Sequence, residues 1–318
     1  MEIKENIPLA QYTTLKIGGA ARFFCEAKNK KEILEALKFA RKKKMPVFVL
    51  GGGSNILMSD KGFEGVVVRI MNYELGVRDT NIECGAGVSL SKIVSESVKA
   101  GFSGLEWAAG IPGTVGGAVR GNAGAFGGEM AETIESVKVL DMNDLQFKVY
   151  DSMKCGFEYR GSTFKQDSKL IIISAVLRLK KGKKEESEKR VKEIIKQRKE
   201  AQPFDFPSSG SFFKNPICKN KELIEEYKKD TLLRQGFGGQ AGKEAKDKVI
   251  PAGYIIDVLG LRGKKIGGAM VSQHHGNFLV NTGKATAEDF IILAAIIKTR
   301  ARNEYGIQLQ EEVQRVGF

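Results

Sequence analysis

The chain has 318 residues, 42% hydrophobic and 28% charged, with a formal net charge of +13; it is long enough for two or three domains and ordinary in composition for a soluble globular protein. No apolar run approaches the roughly 18 residues that span a bilayer, and the opening MEIKENIPLAQYTT lacks the charged-then-apolar order of a signal peptide, so a cytoplasmic protein without membrane partners is expected. Cys25, Cys84, Cys155 and Cys218 lie far apart with no CxxC pair, as reduced structural thiols would, and two histidines (His274, His275) are too few for a His-rich metal site.

Asn29 followed by Glu32 reads as a helix capping box. Behind it Ile33, Leu34, Leu37 and Ala40 recur at helical spacing as far as Lys44. Pro46 ends that pattern, and Val47 to Leu50 reads as a buried strand running into Gly51-Gly52-Gly53-Ser54-Asn55; Val66 to Val68 is a second strand. Near residue 71 the character changes. A short strand leads to Gly85-Ala86-Gly87, then a helix from Ser89 to Ala100 carries Leu90, Ile93, Val94 and Val98 on one face. A Gly-rich stretch occupies 104–128 and looks poor as helix and as sheet, and strand-like runs follow at 137–140 and 170–176.

From Lys180 to Glu200 ten basic and five acidic residues are interspersed around Val191, Ile194 and Ile195, which describes a solvated amphipathic helix better than a nucleic-acid arm. The remaining positive balance would equally suit phosphorylated small molecules, whose approach it would steer. Pro203-Phe204-Asp205-Phe206-Pro207 reads as an extended crossing. Lys219 to Lys248 reads as a helix followed by a polar insertion, and Ala287 to about Arg302 as a helix burying Phe290, Leu293, Ala294 and Ile297.

Glycine, at 37 residues of 318, is concentrated in a few stretches. In Gly51 to Asn55, consecutive glycines let amides converge on an anion, although a tight strand-to-helix turn would look the same. Gly110 to Ala118, running on to Asn122-Ala123-Gly124-Ala125-Phe126-Gly127, lacks nearly every polar side chain, so a ligand there would be held by main chain. Two such cradles suggest an extended diphosphate cofactor. Gly236-Phe237-Gly238-Gly239-Gln240-Ala241 fits a dinucleotide pattern but has no apolar strand before it, and Gly242-Lys243 fails as a P-loop because Phe237 and Glu244 stand at required positions.

Six ordered blocks carry a more specific resemblance. Tyr12 to Gly19 with the Leu50–Leu57 loop, Ile111 to Gly127, Glu158 to Phe164, Ser209 to Pro216, Ile266 to Ala269 and Leu309 to Val313 resemble the signatures of the UDP-N-acetylenolpyruvoylglucosamine reductase family. The 51 positions from Arg160 to Ser211 are similar to its shorter form, without the extra tyrosine loop.

The resemblance implies an α+β, three-domain FAD-binding fold of the vanillyl-alcohol oxidase type: FAD-binding subdomain I at 1–70, subdomain II at 71–205, and a substrate-binding domain at 206–318 with an insertion at about 219–248. FAD and NADPH are the implied cofactors, a UDP-sugar the substrate, and a monomer the expected state. The implied reaction is reduction of UDP-N-acetylglucosamine enolpyruvate to UDP-N-acetylmuramate. Arg160 is then expected to grip carboxylate or enolate, Ser211 to protonate the α-carbon, and Glu312, with Glu311 as rival, to act beside it. Gly51, Gly52, Gly53, Ser54, Asn55, Ile111, Gly113, Thr114, Gly116, Gly117 and Asn122 would bind FAD; Lys214, Asn215 and His275 would hold substrate. On residue type alone Arg160 could be a surface ion pair, Ser211 a turn residue and His275 a structural hydrogen-bonder. The alternatives are a flavin oxidase or dehydrogenase acting on another hydroxylated substrate, a basic nucleic-acid binder, or an inactive scaffold.

Overall fold

The computed structural model describes residues 1–233 and 248–318. The Gly236 and Gly242 matches, with much of the expected insertion, lie outside the described residues. The chain forms two units: Met1–Pro8, Ala20–Gly53 and Phe63–Arg198 in the first; Leu9–Gly19, Ser54–Gly62 and Lys199–Phe318 in the second.

The first unit holds two sheets over one continuous core. One sheet runs in the order Ile3–Pro8, Ala20–Ala27, Phe63–Ile70, Val47–Leu50, with its last three strands parallel. Its crossover is the helix Lys30–Lys43, which buries Ile33, Ala36, Leu37 and Ala40. Asn29 caps that helix by accepting from the Glu32 amide, while Glu32 reaches past the cap to the Lys28 amide at 2.7 Å. The other sheet is antiparallel, in the order Phe147–Asp151, Ile134–Asp141, Leu170–Arg178, Asn81–Gly85, Leu75–Arg78. Helix Leu90–Lys99 buries the expected face of Leu90, Ile93, Val94 and Val98.

Two expectations for this unit are corrected. The Gly-rich stretch does form a helix, Val115–Gly121, because Gly116 lets it press against Ala86; a Cβ there would stand 2.9 Å from the Ala86 Cβ. Tertiary packing overrides the poor helix propensity of glycine. In helix Lys184–Ala201 the buried positions are Ser187, Ile194 and Arg198, with Val191 half-buried, whereas Ile195 is 37% exposed. The inward stripe at 187, 191, 194 and 198 keeps helical spacing and ends on a cation.

In the second unit, four antiparallel strands run Ser208–Ser211, Phe278–Asn281, Ala269–Val271, Lys265–Ile266. Helix Ala287–Tyr305 starts with a Thr286–Asp289 capping box and stops at Gly306 (φ 69°), and it buries Phe290, Leu293, Ala294 and Ile297 as expected. Phe290 stacks on Phe212, whose ring meets Phe213 edge-on at 5.2 Å. Gln314–Val316 pairs in parallel with Ile56–Met58. Pro203 to Pro207 is irregular, as its prolines require, and helix Lys221–Leu233 follows.

Candidate cofactor cradle and catalytic residues

In the first unit the two Gly-rich stretches meet main chain to main chain. A Cβ on Gly51 would lie 2.7 Å from Thr114 Oγ1, and one on Gly52 would lie 2.8 Å from Gly113 Cα. Gly53 turns with φ +64°, a conformation that favours glycine. The Val115 and Gly116 amides donate to Val88 and Ala86 carbonyls at 2.8 and 2.9 Å, so these donors are committed to the protein. Two polar atoms here are buried without a hydrogen-bond partner among the described residues, Thr114 Oγ1 and Arg198 Nη2.

Arg198 is 7% exposed, its Nε donates to Ala109 O at 2.8 Å, and its guanidinium lies 4.9 Å from the Phe126 ring centroid. Burial pulls its pKa down to about 10. A buried guanidinium held by a carbonyl and a ring, with one nitrogen unanswered, is poised for an acceptor from a ligand. Motif reading missed Arg198; its place four residues after Ile194 on the buried stripe was the available signal.

Asn122 has a fully buried carboxamide that donates to Glu158 O and accepts from the Ala131 amide, both at 3.0 Å, which braces the neighbouring turn. That turn carries Arg160 at φ +54°, with Nη2 donating to Gly124 O at 2.8 Å and the guanidinium 5.1 Å from the Tyr159 ring centroid. Ile111 is half-buried against the core.

The second unit brings Ser211 and Glu312 onto neighbouring segments. Ser211 is half-buried and pairs with Phe278; the Glu312 amide donates to the carbonyl of Phe212 at 2.8 Å, and Phe213 stands opposite Glu311. Glu311 forms ion pairs with Lys298 at 3.1 Å and Arg315 at 2.7 Å. Burial pushes its carboxyl up, but hydrogen bonds from Arg315 and Lys298 prevail and hold it below the ordinary value. Asn55 belongs here too: it donates to Glu312 O at 3.3 Å and accepts from the Gln314 amide at 3.1 Å, and Ser54 precedes it in this unit. Lys214 is half-buried, and Asn215 Oδ1 accepts from the Ala252 amide at 3.0 Å. His275 Nδ1 accepts from the Asn277 amide at 3.1 Å, and burial pulls its pKa below the usual value.

Residues 21–148 match the FAD binding domain family, and residues 202–316 match the C-terminal domain of UDP-N-acetylenolpyruvoylglucosamine reductase. The UDP-N-acetylenolpyruvoylglucosamine reductase of Syntrophomonas wolfei is 37% identical over 99% of this chain and 95% of its own. The chain belongs to this family. A reductase of the same name from Caldanaerobacter subterraneus is 36% identical over 98% of this chain and 93% of its own. The crystal structure of UDP-N-acetylenolpyruvylglucosamine reductase from Thermus caldophilus superposes with a TM-score of 0.76 at 34% identity and covers both chains completely. The chain is thus a flavin-dependent oxidoreductase with an α+β FAD-binding fold. The residues present fit FAD: glycines clear the main chain, and Thr114 Oγ1 and Arg198 Nη2 await partners.

Proposed function

We infer that this chain reduces the vinyl ether of UDP-N-acetylglucosamine enolpyruvate to the lactyl ether of UDP-N-acetylmuramate, a step of peptidoglycan precursor synthesis, with NADPH as reductant. The observation that carries this reading is the Ser211–Glu312 arrangement, two proton-handling side chains on hydrogen-bonded neighbouring segments of a family member. Gly51, Gly52, Gly53, Ser54, Asn55, Ile111, Gly113, Thr114, Gly116, Gly117 and Asn122, joined by Arg198, would hold FAD. When bound, FAD supplies to the vinyl β-carbon the hydride that it takes from NADPH.

Hydride addition at the β-carbon leaves negative charge spread over the α-carbon and carboxylate. Arg160 grips that carboxylate and stabilises the charge through the planar fork of its guanidinium. Ser211 delivers the proton to the α-carbon, completing net addition of one hydride and one proton. Glu312 orients Ser211 or a water for that transfer; Glu311, ionised by its two cations, serves structure. Lys214, Asn215 and His275 hold the sugar nucleotide. The two sheets of the first unit serve as FAD-binding subdomains I and II, and we assign a cytoplasmic monomer acting without nucleic-acid or membrane partners. Among the described residues no helix is long and apolar enough to cross a membrane.

An anaerobic absorbance titration tests this reading. NADPH is expected to bleach the flavin band, and the enolpyruvyl sugar nucleotide to restore it. Bleaching without return moves the substrate to another oxidisable or reducible compound; no flavin after adding FAD overturns the assignment. In Ser211→Ala, flavin reduction by NADPH is expected to persist while reoxidation by the sugar nucleotide falls by about 100-fold or more.

A further inference from the structure

The ladder between Ser208–Ser211 and Phe278–Asn281 closes at the pair Ser211–Phe278. Beyond it, Phe212 and Phe213 run on through the core; Phe213 is 1% exposed, so its amide and carbonyl need partners. A single residue supplies them. Asn277, 3% exposed, accepts the Phe213 amide on Oδ1 at 2.9 Å and donates from Nδ2 to the Phe213 carbonyl at 2.8 Å. Its own carbonyl accepts the Phe212 amide at 2.8 Å. The carboxamide thus copies one residue of a strand, presenting acceptor and donor side by side.

The opposite side of the same segment is bonded to the chain that carries Glu312. The Glu312 amide donates to Phe212 O, and the Lys214 amide donates to Gln310 O, both at 2.8 Å. Phe212 and Phe213 therefore form a strap pinned by Asn277 on one side and by 310–312 on the other. Ser211 is the next residue on that strap. Asn277 is itself fixed by its amide, which donates to His275 Nδ1 at 3.1 Å. Aspartate would lose the donor to Phe213 O, and glutamine would overshoot by one methylene.

We propose that Asn277 is the positioning residue for proton delivery: its carboxamide locks the strap that sets Ser211 relative to Glu312. This rests on the reading of Ser211 as proton donor. Asn277 acts through Ser211, so its loss slows protonation without weakening flavin binding or flavin reduction. A displacement of about 1 Å in a reacting group costs on the order of 100-fold.

The test compares Asn277→Asp, Ser211→Ala and the double variant as purified, FAD-loaded enzymes in the two half-reactions. For Asn277→Asp we expect FAD content and reduction by NADPH within about twofold of the parent. Reoxidation by the enolpyruvyl sugar nucleotide should be slower by about 10- to 100-fold, with a larger solvent deuterium isotope effect. The double variant should be no slower than Ser211→Ala alone, because one residue works through the other. Parental reoxidation in Asn277→Asp beside a slow Ser211→Ala, or losses that multiply in the double variant, overturn the positioning role alone. Parental reoxidation in Ser211→Ala overturns the proton-donor reading and this proposal with it. Should Asn277→Asp not fold, Asn277→Ser carries the same comparison.

Discussion

Replacing Arg198 with Met asks whether its buried guanidinium exists for the fold or for the cofactor. The fall of its pKa to about 10 corresponds to roughly 3 kcal/mol against the charged form in the cofactor-free protein. Against that stand the bond to Ala109 O, about 1.5–3 kcal/mol for a charged donor, and the Phe126 contact, about 1–2 kcal/mol. These nearly cancel. Methionine, unbranched and apolar, fills much of the same volume without the charge. The cofactor-free variant should therefore unfold within about 2 kcal/mol of the parent. FAD binding should differ: one charged hydrogen bond from Nη2 is worth about 1.5–3 kcal/mol, or roughly 10- to 150-fold in affinity. Flavin-fluorescence titration measures the affinity, and urea unfolding of the FAD-stripped protein measures stability. Arg198→Lys should fall between the two, keeping charge without the fork. Unchanged FAD affinity together with a large loss of cofactor-free stability would refute the reasoning and make Arg198 a structural clamp.

Two further outcomes are expected. Glu311 titrates below its ordinary value in the fold, so its stabilising contribution is complete above about pH 4.5 and is lost as pH falls through the lower folded pKa. Glu311→Gln should lower stability at pH 7 by about 1–3 kcal/mol and flatten the decline that sets in as the medium is acidified below the ordinary carboxylate value in urea melts; equal acid slopes in parent and variant would contradict this. Gly52→Ala places a Cβ 2.8 Å from Gly113 Cα and 3.4 Å from Gly113 C, both backbone, so the loops must part. FAD affinity should fall about 5- to 100-fold, whereas Gly121→Ala, whose Cβ meets nothing within 4 Å, should gain up to about 1 kcal/mol of stability. Parental FAD binding by Gly52→Ala would contradict the close approach.

What was legible in the sequence was local. Helices 30–43, 90–99 and 287–305 announce themselves through apolar spacing, the first also through its Asn29 cap, because burial of one face is written every three to four residues. Val115–Gly121 was not legible: Gly116 is there for its contact with Ala86, some thirty positions earlier, and no window that short contains both. The same reason hid Arg198, whose partners Ala109 and Phe126 are distant in sequence, and made Ile195 look buried in its place. Ser211 and Glu312 stood out through ordered motifs, but Asn277, which holds the segment between them, has no motif of its own. Asn122 stood out inside an ordered motif, but the bonds of its buried carboxamide to Glu158 O and the Ala131 amide reach 36 and 9 positions along the chain, and no motif displays them.

The pairing of Ile56–Met58 with Gln314–Val316 joins residues 258 positions apart along the chain. On a ribosome adding about 5–20 residues per second, the early strand must wait on the order of ten seconds or more for its partner. Throughout that interval Ile56, Leu57 and Met58, all buried in the finished fold, lack the neighbour that covers them. Stability of the native protein gives no protection there, since the exposed stretch belongs to a chain still being made. Slower translation, or loss of the closing strand, should therefore appear first as aggregation of nascent protein and increased demand for chaperones, before any change in the enzyme that does complete its fold.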